Sequence, residues 1–155
     1  MIPNFIIVKD ALWPLLPPGI HDATWAEVVS RYGITPWRIE LLKGLKAGLD
    51  HLFDLGCPQI FLDGSFVTAK PRPEDYEVVW DPRFVDPTNL DPVFLDFSMG
   101  TDPQKAKYLG EYFPSTYIEA RSGKPFLEFF QIDKESGQRK GIIRLLNYLK
   151  QGGTI

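Results

Sequence analysis

Between Phe61 and Asp81 the chain reads FLDGSFVTAKPRPEDYEVVWD. Ile60-Phe61-Leu62 is a short apolar run that enters a small-residue turn, Gly64-Ser65, and a second run follows over 75–80. Both runs are too short for stable helices and are bounded by turn residues, so they predict strands. Period-two geometry puts Asp75, Glu77 and Val79 on one face of the second strand and Tyr76, Val78 and Trp80 on the other. Two carboxylates on one face repel unless water, a cation or a base separates them. A divalent metal is an economical solution, and hard oxygen ligands suit Mg²⁺. Gly64 lets the backbone approach a ligand closely, successive N–H groups leaving the turn can hold phosphate oxygens, and the Ser65 hydroxyl adds a hydrogen bond. A phosphate cradle beside metal-binding acids makes a workable phosphoryl- or nucleotidyl-transfer site.

The rest of the chain predicts what surrounds these strands. Residues 1–22 contain Pro3, Pro14, Pro17 and Pro18 and read as an irregular N-terminal arm. Asp22 or Thr24 caps a helix over 24–32 that Gly33 ends, and Thr35-Pro36 opens the longest helix, stopped by Gly56. Its buried stripe is Leu41, Leu45, Leu49, Leu52 and Phe53. Four Asp-Pro pairs, at 81, 86, 91 and 102, signal turns, with a brief strand at Val93-Phe94-Leu95 between them. Asp102-Pro103 starts a further helix expected to reach Phe113. FLEFFQID (126–133) and GIIRLL (141–146) flank Ser136-Gly137 and read as a hairpin. The order of elements indicates a single α+β domain with a mixed sheet and helices packed on it.

Composition bounds the function classes. A chain of 155 residues that is 44% hydrophobic and 14% aromatic is not disordered. Its net charge of −3, without a basic run, disfavours binding of long nucleic acid by general charge attraction. The single cysteine, Cys57, permits no internal disulfide, and the N-terminus MIPNFIIVKD has neither a basic n-region nor a long apolar core. With no run of membrane-spanning length, a cytoplasmic location and no membrane partner are expected. His21 and His51 lack metal-ligand company, and the aromatics of FLEFFQI and YLGEYF read as core.

The pattern of an apolar strand, Gly-Ser, nine intervening residues and Asp75-Tyr76-Glu77-Val78 resembles the signature of the DNA polymerase β-like nucleotidyltransferase superfamily. LPPGIHDAT (16–24), FLDGSFVTAKPRPEDYEVVWD, DFSMGTDPQKAKYLGEYFP (96–114) and FLEFFQIDKESGQRKGII (126–143) also resemble an uncharacterised bacterial family of predicted nucleotidyltransferase-like proteins. The resemblance implies a nucleotidyltransferase-like fold and metal-dependent transfer of a nucleotide from a nucleoside triphosphate to a hydroxyl of RNA or protein. Gly64 and Ser65 would grip phosphates, with Lys70, Arg72, Lys105 and Lys107 as candidates to neutralise their charge. Asp75 and Glu77 would hold Mg²⁺ with a third acid, for which Glu128 is favoured and Asp96 competes. The superfamily also occurs in toxin–antitoxin and phage-defence pairs, which implies a cognate partner protein. A catalytically degenerate binding module, an antitoxin or nucleotide sensor, is the alternative. Two prolines after Ser65 and a glutamate at 77 depart from the pattern of active members.

Overall fold

The computed structural model of the protein describes residues 1–149. Five strands form one sheet: β1 (Gly19–Ala23), β2 (Ile60–Asp63), β3 (Tyr76–Trp80), β4 (Gly110–Pro114) and β5 (Gly141–Leu145), in the order β1-β5-β2-β3-β4. β2 runs antiparallel to both β5 and β3, whereas the outer pairs β1–β5 and β3–β4 are parallel. The helices are α1 (Trp25–Tyr32), α2 (Pro36–Asp54), α3 (Asp102–Tyr108) and the single turn α4 (Phe126–Phe129). This is an α+β domain on a mixed sheet.

Local chemistry fixes the long elements. The Thr24 hydroxyl accepts from the Glu27 N–H, and Thr35 does the same for Arg38, each satisfying a donor that the helix start would orphan. Pro36 sits in the first turn of α2, where its missing N–H costs nothing. Leu41, Leu45, Leu49, Leu52 and Phe53 are all buried, as their spacing predicts, and face Ile60, Leu62, Tyr76, Val78 and Trp80 across the main core. Gly48 allows α2 to lie directly on β4, because a Cβ there would stand 2.0 Å from the Tyr112 hydroxyl oxygen.

Four expectations are corrected. The N-terminal arm is irregular only to Pro18, since Gly19–Ala23 pairs with β5 through backbone hydrogen bonds that its two prolines upstream could not have made. Val93-Phe94-Leu95 lies in a 3₁₀ turn, Pro92–Leu95, capped by the Asp91 side chain. The helix from Asp102 stops at Tyr108; Leu109 turns left-handed at φ 65° and the chain becomes β4. Phe126–Phe129 is helical, so no 126–133 strand exists to form the hairpin. A single bridge, Ile132 to Arg139, joins that region, while β5 lies between β1 and β2.

The two faces of the sheet differ. One carries the main core beneath α1, α2 and α3. The other carries a smaller cluster of Phe61, Val79, Phe130 and Ile142, flanked by partly buried Phe113, Phe126, Leu127 and Phe129. At one end this second face turns from apolar to acidic.

Candidate functional site

Strand register builds the acidic end. Phe61, Val79 and Phe113 occupy one row across β2, β3 and β4. Two residues along, the paired positions are Asp63, Glu77 and Glu111. Side chains alternate faces, so these three acids share the face of that apolar row, and Asp75, just before β3, falls on it too. Like charges directly opposite on neighbouring strands destabilise a sheet. Among the described residues the sheet carries this strain at one place, beside the Gly64-Ser65 turn.

Carboxylate oxygens of Asp75, Glu77 and Glu111 all lie within 4.8 Å of one another. Burial, then repulsion from Glu111 and Asp75, pushes the Glu77 carboxyl up to about 7. Burial and Glu111 raise Asp75 in the same direction, against the Lys105 ammonium 3.5 Å from its Oδ2. Asp63 has no exposure, and neither of its carboxylate oxygens has a hydrogen-bond partner in the described chain. Burial first, and Glu77 second, raise it well above the ordinary carboxylate range. The Thr101 hydroxyl donates to Glu111 Oε2 at 2.6 Å and fixes that carboxylate's orientation.

The turn has its own requirements. Gly64 adopts φ 81°, and a Cβ there would stand 2.6 Å from Glu77 Oε2. Glycine therefore serves twice, permitting the left-handed backbone and leaving room for the glutamate. Ser65–Val67 forms a 3₁₀ turn, after which the Pro-rich loop is tied to α2. Arg38, 2% exposed, donates to the carbonyls of Phe66 (2.8 Å), Thr68 (3.3 Å) and Lys70 (2.7 Å). Trp37 Nε1 donates to the Pro73 carbonyl at 2.6 Å, and the Arg72 guanidinium covers the Trp37 ring at 4.6 Å. The loop between turn and acids is thus braced, prolines included. Replacing Arg38 by methionine keeps the packing volume but strips donors from three carbonyls. We expect a stability loss of about 2–4 kcal/mol in urea denaturation, because each buried orphaned group costs about 1–3 kcal/mol.

A cavity of about 400 Å³ joins these parts, lined by Gly64, Ser65, Lys70, Asp75, Glu77 and Glu111 among others. Lys105, Lys134 and Lys140 also line it, the last only 9% exposed, so cations ring the carboxylates. Of the sequence-derived site residues, Gly64, Ser65, Lys70, Lys105, Asp75 and Glu77 meet here. Arg72 is engaged by Trp37 and Lys107 by Asp91, at 2.5 Å. Neither the favoured third acid, Glu128, nor its competitor, Asp96, lines this cavity. Glu128 sits exposed on α4, in a separate hollow with Lys124, Gln131 and Arg139, because the segment carrying it is helical rather than extended. Asp96 accepts from the N–H and hydroxyl of Ser98 in its own turn. Glu111 stands where they were expected, and it and Asp63 are the residues that sequence reasoning missed.

Three carboxylates with converging oxygens, two of them, Asp75 and Glu77, pushed up in pKa by burial and then by neighbouring charge, form a donor set of the hard-oxygen kind that Mg²⁺ takes. Residues 10–146 match the model of a family of unknown function, DUF6932, a span that includes every residue of this site. The chain belongs to that family. No curated protein and no solved structure matches it. Among the described residues no helix is long and apolar enough to cross a membrane.

Proposed function

We propose that this protein is a metal-dependent nucleotidyltransferase with a nucleotidyltransferase-like fold, transferring a nucleotide from a nucleoside triphosphate to a hydroxyl of RNA or protein. The observation that carries the reading is the convergence of Asp75, Glu77 and Glu111 beside the Gly64-Ser65 turn in one lysine-ringed cavity. The sequence resemblance to the DNA polymerase β-like superfamily supplies the reaction class, and Glu111 takes the third-acid role.

Asp75, Glu77 and Glu111 would hold Mg²⁺, which when bound neutralises phosphate charge and favours ionisation of the acceptor hydroxyl. The chain's own groups do the rest. The Gly64-Ser65 backbone and the Ser65 hydroxyl bind phosphate oxygens, and Lys70, Lys134 and Lys140 balance their charge. The acceptor oxygen attacks the α-phosphorus, forming a new P–O bond as the bond to the bridging oxygen breaks and pyrophosphate leaves. The hydroxyl proton passes to Glu111, the third acid, whose carboxylate the Thr101 hydroxyl orients.

Labelled nucleoside triphosphates incubated with the protein, Mg²⁺ and either total RNA or lysate protein test this. Transfer of label to one acceptor class is expected, abolished by chelator and by Asp75→Asn. If the wild type labels neither, and Asp75→Asn matches it in Mg²⁺ and nucleotide binding as well, the reading fails. The Lys105–Asp75 ion pair favours one second reading, in which the ammonium stands in for a cation and the domain binds nucleotide without transfer. Tight nucleotide binding that is insensitive to chelator, with no labelling, would mark that case.

A further inference from the structure

We propose that the aromatic-lined cleft on the other side of Glu77 and Glu111 seats the nucleobase of the nucleoside triphosphate. This rests on the nucleotidyltransferase reading and names where that substrate's base lies. The cleft is about 530 Å³ and shares Glu77, Glu111, Phe129, Phe130 and Lys134 with the lysine-ringed cavity. The two spaces therefore adjoin at the carboxylates, one ringed by cations and the other walled by rings.

The wall suits a flat heteroaromatic ligand. Phe113 and Phe126 stack with centroids 4.2 Å apart and planes 15° from parallel, while Phe129 meets Phe126 nearly edge-on at 6.2 Å and 84°. Phe130 is buried behind them, but Phe113, Phe126 and Phe129 remain half-exposed on the cleft. The rings pack on one another and still leave part of their surface open at the edge of a charged site.

The rim adds hydrogen-bonding groups of both kinds. A tight loop, closed by Glu119 N–H to the Lys124 carbonyl at 2.8 Å and Phe126 N–H to the Tyr117 carbonyl at 3.1 Å, brings Glu119, Arg121 and Ser122 to the cleft. The Ser122 N–H is already given to Glu119 Oε2 at 2.7 Å, which sets that carboxylate in place as an acceptor. Arg121 supplies donors and a plane that stacks on bases. A lipid or aliphatic chain has no use for such a rim, whereas a nucleobase needs a π-face and polar edge groups together. Adjacency to the phosphate-attracting cavity selects the triphosphate's own base over a separate ligand.

The test compares a ligand with a base and one without. Binding of each of the four ribonucleoside triphosphates and of tripolyphosphate is measured by calorimetry in Mg²⁺, for the full chain and for Phe126→Leu and Arg121→Ala. Phe126→Leu keeps apolar bulk and removes the ring; Arg121 is exposed, so its variant tests the same cleft should Phe126→Leu not fold. We expect at least one nucleotide to bind the wild type about tenfold tighter than tripolyphosphate, with either substitution erasing most of that margin and sparing tripolyphosphate. Equal affinities for nucleotide and tripolyphosphate overturn the proposal, as does equal weakening of both, or nucleotide binding unchanged in both variants. If a short single-stranded RNA loses affinity instead, the cleft holds an acceptor base and the proposal also falls. Failure of tripolyphosphate and nucleotides alike to bind the wild type removes the nucleotidyltransferase reading itself, a result distinct from any of these.

Discussion

Glu111→Gln should lower nucleotide transfer by more than about a hundredfold, while Glu128→Gln and Asp96→Asn leave it within about twofold. The outer partners of metal ligands alone cost about 10–100-fold when lost, so removing a ligand's charge should exceed that range. The reason for the asymmetry is position. Glu111 shares a row of the sheet with Glu77 and is held by Thr101, whereas Glu128 and Asp96 face other surroundings. The same substitution has an opposite effect on the metal-free protein. An amide at 111 is nearly isosteric and removes one of the charges that push Glu77 and Asp75 up, so the metal-free variant should unfold at a temperature equal to or above wild type. Mg²⁺ should then raise the melting temperature of the wild type and hardly that of the variant. Scanning calorimetry with and without Mg²⁺ separates this from a structural role, in which stability would fall in both conditions. A variant destabilised alike with and without metal would remove Glu111 from the site.

The contrast between Glu111 and Glu128 also shows where sequence reasoning works on this chain and where it stops. The Asp75-Tyr76-Glu77 alternation was legible because strand period is local: Tyr76 and Val78 have no exposure and must point to the core, so the acids must point away. The α2 boundaries were legible for the same reason, with Thr35-Pro36 at one end and Gly56 past the other. YLGEYF was not. Tyr108 and Tyr112 are spaced as one helical face, and the break between them is a leucine in the left-handed region, a conformation residue type does not announce. What holds it is tertiary: the Tyr76 hydroxyl donates to the Tyr108 carbonyl and pairs with the Tyr112 hydroxyl, 32 and 36 residues away in sequence. The available signal was Gly110 followed by the alternation Glu111-Tyr112-Phe113. FLEFF misleads in the other direction, since aromatic residues favour strands. Its single helical turn exists because Phe126 and Phe130 both pack on Phe113 of β4. Asp63 could have been paired with Phe61 by period two and assigned to the acid face. Its burial beside Glu77 required the strand order, which no local pattern contains.

Strand order is also what gives the metal-free protein an unusual dependence on pH. Asp63, Asp75 and Glu77 all have folded-state pKa values above their unfolded ones. For such acids the folded state binds more protons than the unfolded state in the window between the two values, so stability falls as pH rises through it. Glu77 alone, moving from an ordinary 4.5 to about 7, accounts for a decline of about 3 kcal/mol between those values. Asp22 and Asp81 behave oppositely, held down by hydrogen bonds from Arg144 and Arg83, but they titrate below the usual carboxylate range and leave this window clear. The metal-free protein should therefore melt at a lower temperature at pH 8 than at pH 5.5. Mg²⁺ should reverse most of that loss at pH 8, because it binds the ionised carboxylates, and do little at pH 5.5, where protons occupy them. Glu77→Gln should flatten the metal-free profile and weaken the Mg²⁺ effect together. A metal-free stability that rises between pH 5.5 and 8, or a Mg²⁺ shift of equal size at both, would mean that the carboxylates do not crowd one another enough to demand a cation.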